Sequence, residues 1–155
     1  CISSAASDVY KRQLCHRYLI VRSAWVYGIG RDFVSTVLNA AADPTCPWLA
    51  VPTDRFASPT SADDLTAAVE QLIDHDTLGI YHIVCQGRCS RYDFAQAILK
   101  AAHMEDKLEL HPIRAADAGS TPSYTVLDNL MLRLDNLPQP RPWKEALNKY
   151  INSLQ

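Results

Sequence analysis

The chain has 155 residues and a mass of 17.3 kDa, the length of one domain and enough to bury roughly 68–70% of its unfolded surface. Hydrophobic residues make up 48% and charged residues 21%, an ordinary globular balance that argues against long disorder. The 15 Lys and Arg against 17 Asp and Glu give a net charge of −2 and a pI near 6.2; no basic surplus exists to neutralise phosphates, so no nucleic acid partner is expected, and the apolar runs are too short to span a bilayer, so no membrane is expected.

In chain order, CISSAASDVYKRQ comes first. Residues 1–13 lack the apolar core of a signal peptide and read as a non-native or disordered leader. The native protein is expected to continue upstream, with residues 14–155 as the structured portion. The cysteines are Cys1, Cys15, Cys46, Cys85 and Cys89, odd in number and without a CxxC pair. That pattern reads as free thiols in a reducing, cytoplasmic setting.

Residues 18–27, YLIVRSAWVY, are rich in β-branched and aromatic side chains and read as one buried strand. Gly28 and Gly30 break it. Asp32 is placed to cap a helix carrying Phe33, Val34, Val37, Leu38 and Ala41 at helical spacing, and Asp43-Pro44 ends that helix. Leu49 to Val51 is a short strand candidate, followed by a loop from Pro52 to Thr60. Ser61-x-x-Asp64 resembles a capping box and opens a helix with Leu65, Ala68, Val69, Leu72 and Ile73 on one face.

After Gly79, Ile80 to Val84 reads as a second buried strand. Ser90 caps a helix bearing Phe94, Ala97, Ile98 and Ala101. Leu108 to Ile113 fits an edge strand, and Asp128 a helix cap for a short segment through Leu134. Pro142 suits the first turn of a last helix that buries Trp143, Ala146, Leu147, Tyr150 and Ile151. Strands alternating with helices predict an α/β fold with parallel pairing.

Few residues invite chemistry. Gly28-Ile29-Gly30 follows a strand, but Phe33 stands at the third glycine position and Asp32 would repel a pyrophosphate. The histidines His16, His75, His82, His103 and His111 show no metal-ligand spacing, so no metal site is predicted. Asp63 and Asp64 fall in a helix's first turn, where carboxylates complement the dipole. Trp25 is placed near the carboxyl end of a strand, where parallel sheets open their ligand crevice; its indole could face a sugar or base ring or pack in the core. The loop Asp54-Arg55-Phe56-Ala57-Ser58-Pro59-Thr60 offers a guanidinium and hydroxyls before a helix N-terminus. It could hold an anion or be a surface turn built on Asp54 and Arg55.

Taken together, these segments resemble the dTDP-4-dehydrorhamnose reductases. YLIVRSAWVYG is similar to their LIVRTSWVYG, DRFASPTSADDL to DQFGSPTYADDL, and GIYHIVCQGRCSRYDFAQAIL to GIYHVSNEGSCSWYEFAKAIF. PSYTVLDN resembles part of RPAYSVLDN, and Trp143-Lys144-Glu145-Ala146-Leu147 their closing WREAL. The resemblance covers roughly residues 17–151.

It implies the C-terminal part of a Rossmann-like extended short-chain dehydrogenase with its substrate-binding subdomain. The implied function is reduction of a dTDP-4-keto sugar with NADPH or NADH, the cofactor being held mostly by an N-terminal half not seen here. The family's catalytic Tyr and Lys would lie upstream; Tyr10 does not substitute, since Leu14 stands four residues on, and no catalytic residue is assigned. By carry-over, Trp25, Arg55 and Ser58 are substrate-binding candidates and Ser23 a cofactor-side candidate. Arg55 replaces the family's Gln, Ala57 its Gly and Thr121 its Arg. A dTDP-sugar is the implied substrate, and a homodimer of the full-length protein stays open. The alternatives are a regulatory binding protein of the same fold, like the methionine adenosyltransferase beta subunit, or another nucleotide-sugar epimerase or dehydratase.

Overall fold

The computed structural model describes residues 17–121 and 123–154. The expectations placed on residues 1–13, Cys15, His16 and Pro122 lie outside the described residues.

The region read as one strand is two. β1 (Leu19–Arg22) pairs in parallel with β6 (Gly79–His82), and β2 (Val26–Tyr27) pairs in parallel with β5 (Thr60–Ser61). Between them Trp25 adopts φ 42°, a left-handed conformation that is a genuine outlier for a bulky residue. This is a correction: Trp25 lies in a kink where the chain changes sheet, and continuous β propensity hid it. The kink is fixed from outside, because the Thr60 N–H donates to the Trp25 carbonyl at 3.2 Å.

α1 (Phe33–Ala42) starts at Asp32 with a reciprocal capping box, Ser35 N–H to Asp32 and Asp32 N–H to Ser35 Oγ. β3 (Trp48–Pro52) pairs in parallel with β8 (Glu109–Ile113), which runs through Pro112. The presumed loop after Pro52 contains β4 (Arg55–Ala57). It lies between β7 (Cys89–Ser90), antiparallel, and β9 (Ser123–Thr125), parallel. These strands are two or three residues long, too short for a period-2 pattern to show.

α2 (Ala62–Asp74) is capped by Ser61, and α3 (Arg91–Ala101) by Ser90 with a full capping box through Asp93. The short helix α4 (Leu130–Leu134) begins at Asn129, not Asp128, and without a side-chain cap. The reason is that the Asn129 amide is committed elsewhere: it donates to the Val84 carbonyl at 2.8 Å and accepts from the Val84 N–H at 2.9 Å. Asp128 holds Arg133 with two bonds of 2.6 and 2.7 Å. α5 (Trp143–Ser153) follows Pro142.

Two apolar cores result. The larger joins α1, α3 and α5 through residues such as Val37, Phe94, Ile98, Trp143 and Leu147. The smaller packs Leu72 of α2 and Leu132 of α4 against Tyr81 and Ile83 at β6. At full burial each Leu or Phe contributes roughly 1.5–3 kcal/mol.

Candidate functional site

The kink after β1 delivers Trp25 to the N-terminal ends of α1 and α3. The Arg91 guanidinium carbon lies 4.0 Å from the Trp25 ring centre and 4.3 Å from that of Phe33. Phe94, one turn further along α3, stacks on Phe33 at 5.8 Å and lies 6.2 Å from Trp25 at an interplanar angle of 22°. Arg91 is thus held between two aromatic faces, a cation–π arrangement that stabilises a charge without an acid.

Arg55 belongs to the same place. In the β4–β7 register Phe56 faces Ser90 and Ala57 faces Cys89, so one further step sets Arg55 opposite Arg91. Burial, and next the positive charge of Arg55, lower the Arg91 guanidinium to about 10. The Arg55 Nε is buried and has no hydrogen-bond partner among the described residues. The Asp54 carboxylate accepts the Ala115 N–H at 2.8 Å, and no bond from Arg55 to it is found among the described residues. The surface turn pairing Asp54 with Arg55 therefore does not form.

Ser58 is buried, yet it lines a different space. A cavity of about 500 Å³ lies between the chain after β6, Val84 to Arg88, and the stretch Val126 to Asn129, with Ser58 in its wall. The bonded Asn129–Val84 pair lies in the wall of that cavity. Backbone links tie it to the first site, since Thr60 bonds both the Ser58 carbonyl and, from its N–H, the Trp25 carbonyl. The structure thus groups Trp25 with Arg55 and sets Ser58 on the neighbouring cavity. The hydroxyl of Ser23, two residues before Trp25, is buried without a partner among the described residues.

The Gly28-Ile29-Gly30 turn is closed on itself. The Gly28 N–H donates to Asp32 Oδ2 at 2.8 Å, which puts a carboxylate where a phosphate would need donors. A Cβ on Gly28 would lie 2.8 Å from that of Ala62, so this glycine serves the close approach of α2. A dinucleotide phosphate does not fit here. The thiols are poor nucleophiles: burial pushes Cys85 up to about 11 and Cys89 up to about 12, well above neutral pH.

A second charged group is fully paired. Asp64 accepts from Arg141 Nε at 2.8 Å and from Ser61 Oγ at 2.5 Å. Close by, the Tyr27 hydroxyl is buried without a partner among the described residues. Burial raises its pKa, helped by Cys85 and Asp64, so it stays a neutral phenol.

Sequence reasoning missed Arg91 and the ring pair that holds it. One signal stood in the resemblance itself: CSRYDF carries Arg where the similar family segment CSWYEF carries Trp.

Comparison with known proteins bears on this geometry. The family model described as the RmlD substrate binding domain matches residues 4–155. The chain belongs to that family. It is 37% identical over 134 residues to the spore coat polysaccharide biosynthesis protein SpsK of Bacillus subtilis, covering 85% of this chain and 46% of that protein. It is 36% identical over 143 residues to dTDP-4-dehydrorhamnose reductase of Mycolicibacterium smegmatis, covering 85% of this chain and 41% of the relative. The chain therefore spans less than half the length of these curated relatives.

Among solved structures, a dTDP-4-dehydrorhamnose reductase from Bacillus anthracis in complex with NADP superposes with a TM-score of 0.91 at 30% identity. The match covers 99% of this chain and 54% of that one. The enzyme from Clostridium acetobutylicum gives 0.89 at 36% identity, covering 96% and 52%. A dTDP-glucose 4,6-dehydratase at 12% identity shares the fold, with a TM-score of 0.72. The predicted α/β fold, the C-terminal part of a Rossmann-like extended short-chain dehydrogenase, is the observed one. No helix among the described residues is long and apolar enough to cross a membrane.

Proposed function

We propose that this chain is the sugar-nucleotide side of a reductase that converts dTDP-4-dehydro-L-rhamnose to dTDP-L-rhamnose in the cytoplasm. The observation that carries the reading is Trp25. A tryptophan is held in a left-handed backbone at the carboxyl end of β1, the edge on which parallel α/β sheets bind ligands. A strained residue that the surroundings hold in place is characteristic of a ligand site.

In this reading Trp25 lays its indole along the hexose and excludes water from the reacting carbon. Arg55 supplies positive charge at the same edge, and Ser58 lines the adjoining cavity. Ser23 turns its free hydroxyl toward the cofactor side. NADPH or NADH, when bound, supplies the hydride. The rest of the full-length protein holds it, because the Gly28 turn does not suit its phosphates.

The test is Trp25→Ala in the full-length protein. Affinity for the dTDP-sugar should fall by the equivalent of roughly 1–3 kcal/mol, by analogy with base–aromatic stacking, with cofactor affinity unchanged. A large drop in melting temperature with sugar-nucleotide affinity intact would assign Trp25 to the core and overturn the reading.

A further inference from the structure

We infer that Arg91 and Arg55 together form a two-guanidinium seat for a doubly charged oxyanion of the diphosphate class, with Arg91 presented by the Trp25 and Phe33 rings. The inference rests on the sugar-nucleotide reading for the source of the diphosphate, and it deepens that reading.

Like charges directly opposite each other on paired strands are destabilising. The next step beyond the β4–β7 register leads to Arg55 and Arg91, and the charge of Arg55 acts on Arg91. Three other arginines are neutralised by carboxylates: Arg17 meets Asp76, Arg133 meets Asp128 and Arg141 meets Asp64. No such carboxylate partner is found for Arg55 or Arg91 among the described residues, and Asp54, the nearest acid in sequence, is spent on Ala115. A buried charged donor without an acceptor is costly, and Arg55 Nε is one. A fold that sets this donor beside a second cation, Arg91, leaves a demand for negative charge.

The rings decide how Arg91 can answer it. The Arg91 guanidinium carbon lies over both the Trp25 and the Phe33 rings, 4.0 and 4.3 Å from their centres. Its hydrogen-bond donors lie in the guanidinium plane, so ring contact leaves them for a ligand. A planar fork held by its faces is preorganised for two oxygens of a phosphate, with little rotamer entropy left to lose. Arg55 supplies the second cation. Two charges call for a dianion, and a diphosphate presents one to both arginines at once. The same arrangement explains why burial and Arg55 depress Arg91: a bound dianion would remove that penalty.

Calorimetric titration of the whole chain with inorganic pyrophosphate tests this, beside malonate, thymidine and the dTDP-sugar. Pyrophosphate should bind, and Arg91→Gln or Arg55→Gln should weaken it at least tenfold while circular dichroism and melting temperature stay near the parent's. Arg91→Lys keeps the charge without the planar fork. It should bind several-fold more weakly than the parent, and it keeps the test decisive if the glutamine variant fails to fold. Undiminished pyrophosphate binding in both Arg91 variants, or no pyrophosphate binding by the parent, would overturn the seat. Malonate binding as tight as pyrophosphate would overturn its assignment to a diphosphate. Pyrophosphate binding lost with Arg91, in a protein that ignores the dTDP-sugar, would uphold the seat and sink the sugar-nucleotide reading instead.

Discussion

Arg141 donates to Asp64 at 2.8 Å, whereas Arg91 meets two aromatic faces and no acid. Both lie next to the start of a helix, and both touch the larger core's surroundings. The Arg141 side chain is 41% exposed and its Asp64 partner 10%, so the fold has buried the acid and used the arginine to neutralise it. Around Arg91 the fold has buried the base and left the acid out. An ion pair made within the chain fixes loops: Arg141 also offers its carbonyl to the Gln86 N–H, which ties the approach to α5 onto the chain after β6. A cation stabilised only by π faces keeps its in-plane donors, and with them a capacity to bind something else. The contrast separates an arginine that completes the structure from one that awaits a ligand.

The largest expected effect comes from removing the ring on which the Arg91 group rests. Phe94 contacts Trp25, Phe33, Tyr27 and Trp143 and is almost fully buried. Phe94→Ala should cost about 3–5 kcal/mol in urea unfolding and abolish pyrophosphate binding with it. Stability near the parent's would mean the aromatic group is a surface ornament and not the floor of the site.

How much of this was legible in the sequence follows the same line. The helices were, because capping side chains and a 3.6-residue apolar period are local signals: Asp32, Ser61 and Ser90 cap the expected helices. The three-stranded sheet β7-β4-β9 was not, since its register depends on residues far apart in the chain. The kink at Trp25 was invisible for the same reason, as its cause is Thr60. Asp128 misled because the cap position is Asn129, whose amide is held by Val84 and leaves no side-chain signal of a cap. At the site, Trp25 and Arg55 were visible as residue types, but their meeting point, Arg91, is created by a cross-strand register that no linear pattern encodes.

Breaking the paired arginine should act on stability and spare the site. Asp64→Asn removes the charge that Arg141 and Ser61 bond. Charged hydrogen bonds contribute roughly 1.5–3 kcal/mol, and partial exposure of Arg141 brings the expected loss to about 2 kcal/mol. Pyrophosphate affinity should not change. A fall in affinity without a fall in stability would show that the two regions are coupled and that the contrast drawn between them is false.

A pH titration sharpens the contrast from the other side. Arg91 titrates at about 10, below the ordinary value for its type. For a base shifted downward, the folded state is penalised in full below the shifted value, and the penalty fades as pH rises from about 10 toward the ordinary value. Ligand binding runs the opposite way, because the dianion needs the charged form. The ratio of pyrophosphate affinity between the parent and Arg91→Gln should be constant through neutral pH and shrink as pH rises through about 10. One unit higher, Arg91 is mostly neutral and the loss approaches tenfold, about 1.4 kcal/mol. A ratio that holds constant to pH 11 would remove Arg91 from the seat.

The smallest effect tests whether the backbone itself is shaped for the site. Trp25 sits at φ 42°, a conformation that costs an L-residue roughly 1–2 kcal/mol. Trp25→Ala and Trp25→Gly both delete the indole, so both lose its contacts with Arg91 and Phe94. Only glycine also relieves the backbone, at an unfolded-state entropy cost of about 0.5–1 kcal/mol. The glycine variant should therefore be the more stable of the two by about 0.5–1 kcal/mol in urea unfolding, the difference left between those terms. Ligand binding should be equally weak in both, because the missing ring, and not the backbone, is what a sugar and Arg91 would touch. An alanine variant as stable as glycine would mean that the kink relaxes once the ring is gone. The strain would then come from the ring's packing, and the Thr60 N–H bond to the Trp25 carbonyl would be its consequence and not its cause.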